Sequence, residues 1–327
     1  MIVVTGANGL LGSHVLRKLV AENQAVIALK KPDSDLNLVS DLKGIEWRNA
    51  DVLDAEELLS ALEGATTVIH IAGLVSFNPR MREKLFSVNE AGTRNVVNAC
   101  LSKNIDQLIH ISSVAALGRQ KGFHHINEDS KWQESELNSD YAESKYRAEL
   151  EVWRGHEEGL KVAIVNPSII LAPTNLDRSS AKFFQYAMQE KLFYTDATIN
   201  YIDVRDVVEV IWQVLISKTY GERFIINGGD TSFLDLITQI SKRLGKRPPQ
   251  VKLAPALIHA LAVLEDWRSR IMGSEPLITK QSAKVAKEKF YYSSDKVIKK
   301  FNLKFRNLEN TLDWCCEHYR STYSNNN

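Results

Sequence analysis

Charge of either sign in excess, long apolar runs and a cysteine framework are all missing from this chain. Lysine and arginine number 41 against 40 aspartates and glutamates, a formal net charge of +1, so no basic field gathers nucleic acid or a membrane surface. The longest apolar stretch, Leu253 to Leu264, falls well short of the roughly 20 residues of a membrane span and is expected to be a buried or pocket-lining helix. Three cysteines, Cys100, Cys315 and Cys316, make no even set of disulfides. The expected setting is reducing and cytoplasmic. The first strand-like run starts at Ile2, so no secretory leader is expected. His124 and His125 have no cysteine or carboxylate set at ligand spacing, so no metal site is expected.

What is present is an ordinary globular balance, 44% hydrophobic and 25% charged over 327 residues, enough for about two domains. The stretch Thr5 to Gly12 reads TGANGLLG, with glycine at Gly6, Gly9 and Gly12. It follows the apolar run Ile2 to Val4 and precedes a segment in which Val15, Leu16, Leu19 and Val20 share a helical face. Strand, tight turn and helix with no Cβ in the turn suit a pyrophosphate, which meets free N–H groups and the positive end of the helix dipole.

Further strand-like runs at Ala25 to Leu29, Ile45 to Arg48, Val68 to Ala72, Leu108 to Ser112 and Val162 to Asn166 alternate with helical patterns at Glu56 to Leu62, Arg80 to Ser102 and Tyr141 to Glu158. The alternation predicts an α/β fold, a doubly wound parallel sheet with ligands at the carboxyl ends of its strands. After Asn166 the regularity breaks at Pro167 and Pro173, then resumes in NYIDVRDVV and a strand at Phe224 to Asn227. The expected division is a dinucleotide-binding domain of residues 1–166 plus 201–227 and a smaller, mostly helical substrate-binding lobe of residues 167–200 plus 228–327. Trp132 and Trp153 read as packing residues.

Tyr141 and Lys145 stand four apart in YAESKYRAELE, on one helical face. An ammonium one turn from a phenol stabilises the phenolate and draws its pKa toward the working pH, fitting Tyr141 for proton transfer. Upstream, LIHISSVAALG ends a strand on Ser112 and Ser113. A glycine triplet, a strand-terminal serine and a downstream Tyr-x-x-x-Lys, in that order, resemble the short-chain dehydrogenase/reductase family.

The resemblance covers nearly the whole chain and is to the extended, epimerase/dehydratase branch, with DVLD, HIAG, VNEAGTRNVV, NPSIILAP, NYIDVRDVV and NGGD as further matching stretches. It implies a Rossmann domain and makes Ser113, five residues before Gly118, the hydroxyl that orients substrate. Tyr141 then exchanges the proton, and Lys145 lowers the tyrosine pKa while gripping the nicotinamide ribose. Thr5, Gly6, Asn8, Gly9, Leu10 and Gly12 would hold the dinucleotide at the turn, and Asp51 with Val52 would meet the adenine. Ile71, Ala72 and Gly73 would form a backbone wall, with Asn89, Ile111, Pro167 and Ser168 completing the cofactor site. A homodimer through the 80–102 and 141–158 helices occurs in many relatives, while others are monomers.

At the tip of the second strand, Lys30 and Lys31 stand where an acid would select NAD; a cation there accommodates a 2′-phosphate. NADP is the expected cofactor, with NAD as the alternative because Asp33 and Asp35 are close by. Lys31 also matches an arginine of dihydroflavonol-reductase-like members, which the segment EDSKWQESELNSDYAESKYRAELEVW resembles as well. The expected substrate is a small molecule, a ketone, an aldehyde or a nucleotide sugar. Sugar dehydratases of the family carry an Asp-Glu pair directly after the serine; Val114 and Ala115 stand there, so elimination lacks its acid and base. The leading expectation is an oxidoreductase, ahead of a nucleotide-sugar epimerase with tightly held NAD and a non-catalytic dinucleotide sensor or scaffold.

Overall fold

A computed structural model describes residues 1–175, 180–254 and 288–323. Seven parallel strands form the central sheet: β1 (Ile2–Thr5), β2 (Val26–Lys30), β3 (Glu46–Asn49), β4 (Thr67–His70), β5 (Gln107–Ile111), β6 (Val162–Pro167) and β7 (Glu222–Ile226). Their spatial order is β7-β6-β5-β4-β1-β2-β3. The direction of winding reverses between β1 and β4, which opens a crevice beyond the carboxyl ends of those two strands. Residues in β1, β5 and β6 are buried throughout, as strands covered on both faces must be, whereas β3 at the edge is exposed or half-buried.

Helices cover both faces. The Leu10–Ala21 and Val204–Ile216 helices bury Val15, Leu16, Leu19, Val207 and Ile211 in one core, while Leu58, Val96, Val97 and Val152 from the Ala55–Ala61, Gly92–Ser102 and Asp140–Glu157 helices fill the other. The doubly wound α/β fold expected from the alternation is therefore present. Boundaries shift where side chains capture the backbone. The strand expected over Val68 to Ala72 ends at His70, because Thr5 Oγ1 takes the N–H groups of Ile71 and Ala72 at 3.1 Å each. The Arg80 to Ser102 helix is continuous in path but contains a π-helical turn, Ser87–Ala91, between the Arg82–Phe86 and Gly92–Ser102 α-helices.

A second cluster, with Phe184, Tyr201, Leu236, Ile240, Leu312 and Tyr319, packs the Lys182–Met188, Phe233–Leu244 and Leu308–Tyr323 helices beside a three-stranded sheet of Ile169–Leu171, Thr198–Asp203 and Gly229–Ser232. The Asp295–Phe301 helix returns to the main sheet, where Val297 is wholly buried. The helix expected near Leu253 to Leu264 lies outside the described residues from 255 onward. Cys100, Cys315 and Cys316 are buried free thiols. Among the described residues no helix is long and apolar enough to cross a membrane.

Candidate active site

Two of the three glycines in the first turn are demanded by the chain itself. Gly6 sits at φ +64°, and a Cβ there would come within 2.7 Å of the Ala72 backbone nitrogen on the neighbouring loop. A Cβ on Gly12 would collide with the Gly6 carbonyl. Gly9 precedes the Leu10–Ala21 helix and offers no side-chain cap, which leaves the first N–H groups of that helix to another acceptor. Leu10, Leu11 and Gly12 line the adjoining cavity.

Thr5, at the end of β1, ties this turn to β4. With both N–H groups of Ile71 and Ala72 directed at its Oγ1, its own proton goes to His70 Nδ1 at 2.7 Å. The His70 Nε2–H then faces Thr93 Oγ1 at 3.1 Å, and Thr93 donates to the Asn89 carbonyl at 2.6 Å. Burial, followed by the charge of Lys145, pushes His70 down to about 3 and keeps it neutral. Asn89 lies in the π-helical turn and grips the loop after β4 as a peptide would. Its Oδ1 accepts from Leu74 N at 2.7 Å, and its Nδ2 donates to Leu74 O and Ser144 Oγ, each at 2.9 Å. The loop is thus clamped to the helix that carries Tyr141 and Lys145.

That helix, Asp140–Glu157, is capped by Ser139, whose Oγ accepts from Ala142 N at 3.1 Å. Tyr141 and Ser113 line the same cavity, and the Ser113 hydroxyl is near enough to favour the phenolate. Ser113 follows β5 and caps the short 3-10 turn Val114–Leu117 through Ala115 N at 3.2 Å, so of the two serines it is Ser113 that reaches the tyrosine. Lys145, 5% exposed, donates to the Ile111 carbonyl at 2.9 Å. Burial raises the Tyr141 pKa, with the nearby Ser113 hydroxyl working against it. The net shift is upward, not the fall expected from the spacing; the Lys145 ammonium is directed at a backbone carbonyl, and burial pushes its own pKa down to about 8.

The glycine turn, the loop after β4 and the side chains of Ser113, Tyr141 and Lys145 surround one cavity of about 910 Å³. Of the residues expected from sequence, Thr5, Gly6, Asn8, Gly9, Leu10 and Gly12 line its first end, with Lys30, Lys31 and Val52 beside them. Ile71, Ala72, Gly73, Ile111, Ser113, Tyr141, Lys145, Pro167 and Ser168 line the rest. Two are placed otherwise. Asn89 is only 1% exposed and acts on the loop rather than the cavity. Asp51 is off the lining and faces Lys31 at 2.7 Å; burial opposes its ionisation, but the Lys31 ion pair and the Leu53 N–H hold its carboxyl below the usual range.

Phe77 was not anticipated. Its ring lies edge-on to Tyr141 at 5.7 Å and is 56% exposed at the cavity wall. Asn166 was matched to a family segment without a role, yet it donates to the Ser113 carbonyl at 2.9 Å and to Glu149 Oε1 at 2.5 Å. Trp132 stacks on Tyr146 at 4.5 Å, and Trp153 packs against the second core.

Comparison with known proteins sets this geometry in a family. The model of the NAD dependent epimerase/dehydratase family matches residues 2–227. A Synechocystis protein provisionally assigned as a dihydroflavonol 4-reductase is 26% identical over 315 residues, 94% of this chain and 91% of that protein. The crystal structure of gox2253 superposes with a TM-score of 0.85 at 30% identity, covering 99% of this chain and 98% of that one. The UDP-glucose 4-epimerase of Thermotoga maritima, with UDP-glucose, superposes at 0.81 with 19% identity, covering 98% and 99%, and shares the fold. The chain belongs to the NAD dependent epimerase/dehydratase family.

Proposed function

We propose that this oxidoreductase is an NADP-dependent reductase of a ketone or aldehyde, working in reverse as an alcohol dehydrogenase. The observation that carries the reading is that Ser113, Tyr141 and Lys145 line the same cavity as the glycine turn, beyond the carboxyl end of β5. The cavity suits a dinucleotide: a turn closed to any Cβ, a helix N-terminus without a side-chain cap, and Lys30 and Lys31 on the adjoining wall. A bound nicotinamide supplies the hydride that reaches the carbonyl carbon.

The protein's own residues do the rest. Ser113 orients the carbonyl oxygen, and Tyr141 gives that oxygen its phenolic proton, which solvent later replaces. A tyrosine whose pKa burial has raised is a neutral phenol at neutral pH, the form a reduction requires. Lys145, still mostly an ammonium at neutral pH, binds the ribose hydroxyls and balances negative charge as the proton leaves Tyr141. Val114 and Ala115 in the turn after Ser113 offer no group for elimination.

The ion pair of Lys31 with Asp51 favours a second reading, an epimerase holding NAD, because it occupies the cation meant for a 2′-phosphate. Extraction of nucleotide from freshly gel-filtered protein separates the two. A reductase releases cofactor each cycle and purifies largely empty, then consumes added NADPH with a carbonyl. Near-stoichiometric NAD with no net NADPH consumption overturns the reductase.

A further inference from the structure

Beneath the proton-transfer residues lies a carboxylate that the mechanism leaves unused. Glu149 follows Lys145 by one helical turn and is 1% exposed. Its Oε1 takes the Asn166 Nδ2 hydrogen bond at 2.5 Å. Among the described residues its Oε2 has no hydrogen-bond partner, Arg223 standing 3.5 Å away in an ion pair without hydrogen-bond geometry. The Asn166 amide orientation is unambiguous, because both of its bonds, to Glu149 and to the Ser113 carbonyl, are to acceptors. One buried carboxylate therefore faces the lysine along the helix and reaches the serine through a single amide.

We infer that Glu149 is a positioning residue of the site, keeping the Lys145 ammonium charged and, through Asn166, holding the Ser113 backbone in place. The inference rests on the role proposed for Lys145. A buried ammonium loses its proton unless an opposite charge compensates for lost hydration. His70 on β4 and His110 on β5 interact with the Lys145 charge, Tyr141 precedes it by one turn of the same helix, and Arg223 on β7 pairs with Glu149. His70 and His110 are both pushed down by burial and are neutral, so they supply no negative charge. Burial drives Lys145 down to about 8, and Glu149 is what opposes it. Of the groups facing the lysine, Glu149 is the carboxylate.

The test is NADPH binding to the full chain, followed by nucleotide fluorescence between pH 6.5 and 9.5, which needs no knowledge of the substrate. In the unmodified protein affinity falls near pH 8 as Lys145 loses its proton. Glu149→Gln keeps an acceptor for Asn166 and removes the charge, and moves that fall down by about one pH unit; Glu149→Asp restores part of it. Arg223→Gln removes a nearby positive charge and moves it up. A folded Glu149→Gln protein with an unshifted fall overturns the inference. Should that variant not fold, an unshifted Arg223→Gln profile overturns it equally. Lys145→Met distinguishes the underlying reading: if it retains both affinity and pH dependence, the role given to Lys145 fails first.

Discussion

Lys31 Nζ lies 2.7 Å from Asp51 Oδ2, joining the tips of β2 and β3, so the cation that the proposed NADP cofactor would meet with its 2′-phosphate already faces a carboxylate. The side chains are 57% and 32% exposed, and a pair this open to water is worth about 0–1 kcal/mol. A phosphate bearing about two charges competes well against it.

Cofactor preference follows from that balance. Lys31→Asp should raise the NADPH dissociation constant by about tenfold or more while leaving NADH binding equal or tighter. Asp51→Asn, which releases Lys31, should tighten NADPH by roughly two- to fivefold. Fluorescence titration with both nucleotides decides it, and an unchanged NADPH/NADH ratio in Lys31→Asp removes the assignment.

Tyr141→Phe should lower turnover by about a hundredfold or more and leave dinucleotide affinity within about twofold, since it deletes one proton donor. Lys145→Met should weaken both. Stopped-flow and steady-state absorbance of NADPH provide the readout; near-normal turnover in Tyr141→Phe would mean that another group donates the proton.

The glycine turn makes a stability prediction as well as a binding one. Gly6→Ala places a Cβ within 2.7 Å of Ala72 N at a φ of +64°, and should cost roughly 2 kcal/mol or more together with most NADPH affinity. Urea midpoints and nucleotide titration test the two halves separately.

Acid sensitivity comes from buried imidazoles. Burial, with neighbouring positive charge, pushes His14 to about 4 and His70 to about 3, and lowers His110 as well. From about pH 7.5 upward these groups are essentially neutral in both folded and unfolded chains and contribute no slope. As pH falls from there toward 4, the unfolded chain binds protons that the fold refuses, so stability drops by up to about 1.4 kcal/mol per pH unit for each histidine. The urea midpoint should be markedly lower at pH 5 than at pH 7.5. Among the described residues neither His110 ring nitrogen has a hydrogen-bond partner, so His110→Met should flatten the dependence; an unchanged slope would count against its burial as a cause.

Much of the site was legible because its logic is local. Helical spacing alone puts Tyr141 and Lys145 on one face, an apolar run followed by spaced glycines marks a strand, turn and helix, and alternating patterns specify a doubly wound sheet. The sequence therefore determined the fold class, the turn and the shared helical face of Tyr141 and Lys145. It did not determine what the long-range contacts do to them. Lys31 meets Asp51 only because β2 and β3 pair in a register that sets Lys30 beside Asn49. Asn89 was expected at the cofactor, but a π-helical turn and the packing of two helices direct it to Leu74 and Ser144. The direction of the Tyr141 pKa was likewise a tertiary matter: spacing supplies a nearby ammonium, whereas burial and the Ile111 carbonyl that takes that ammonium decide which effect wins.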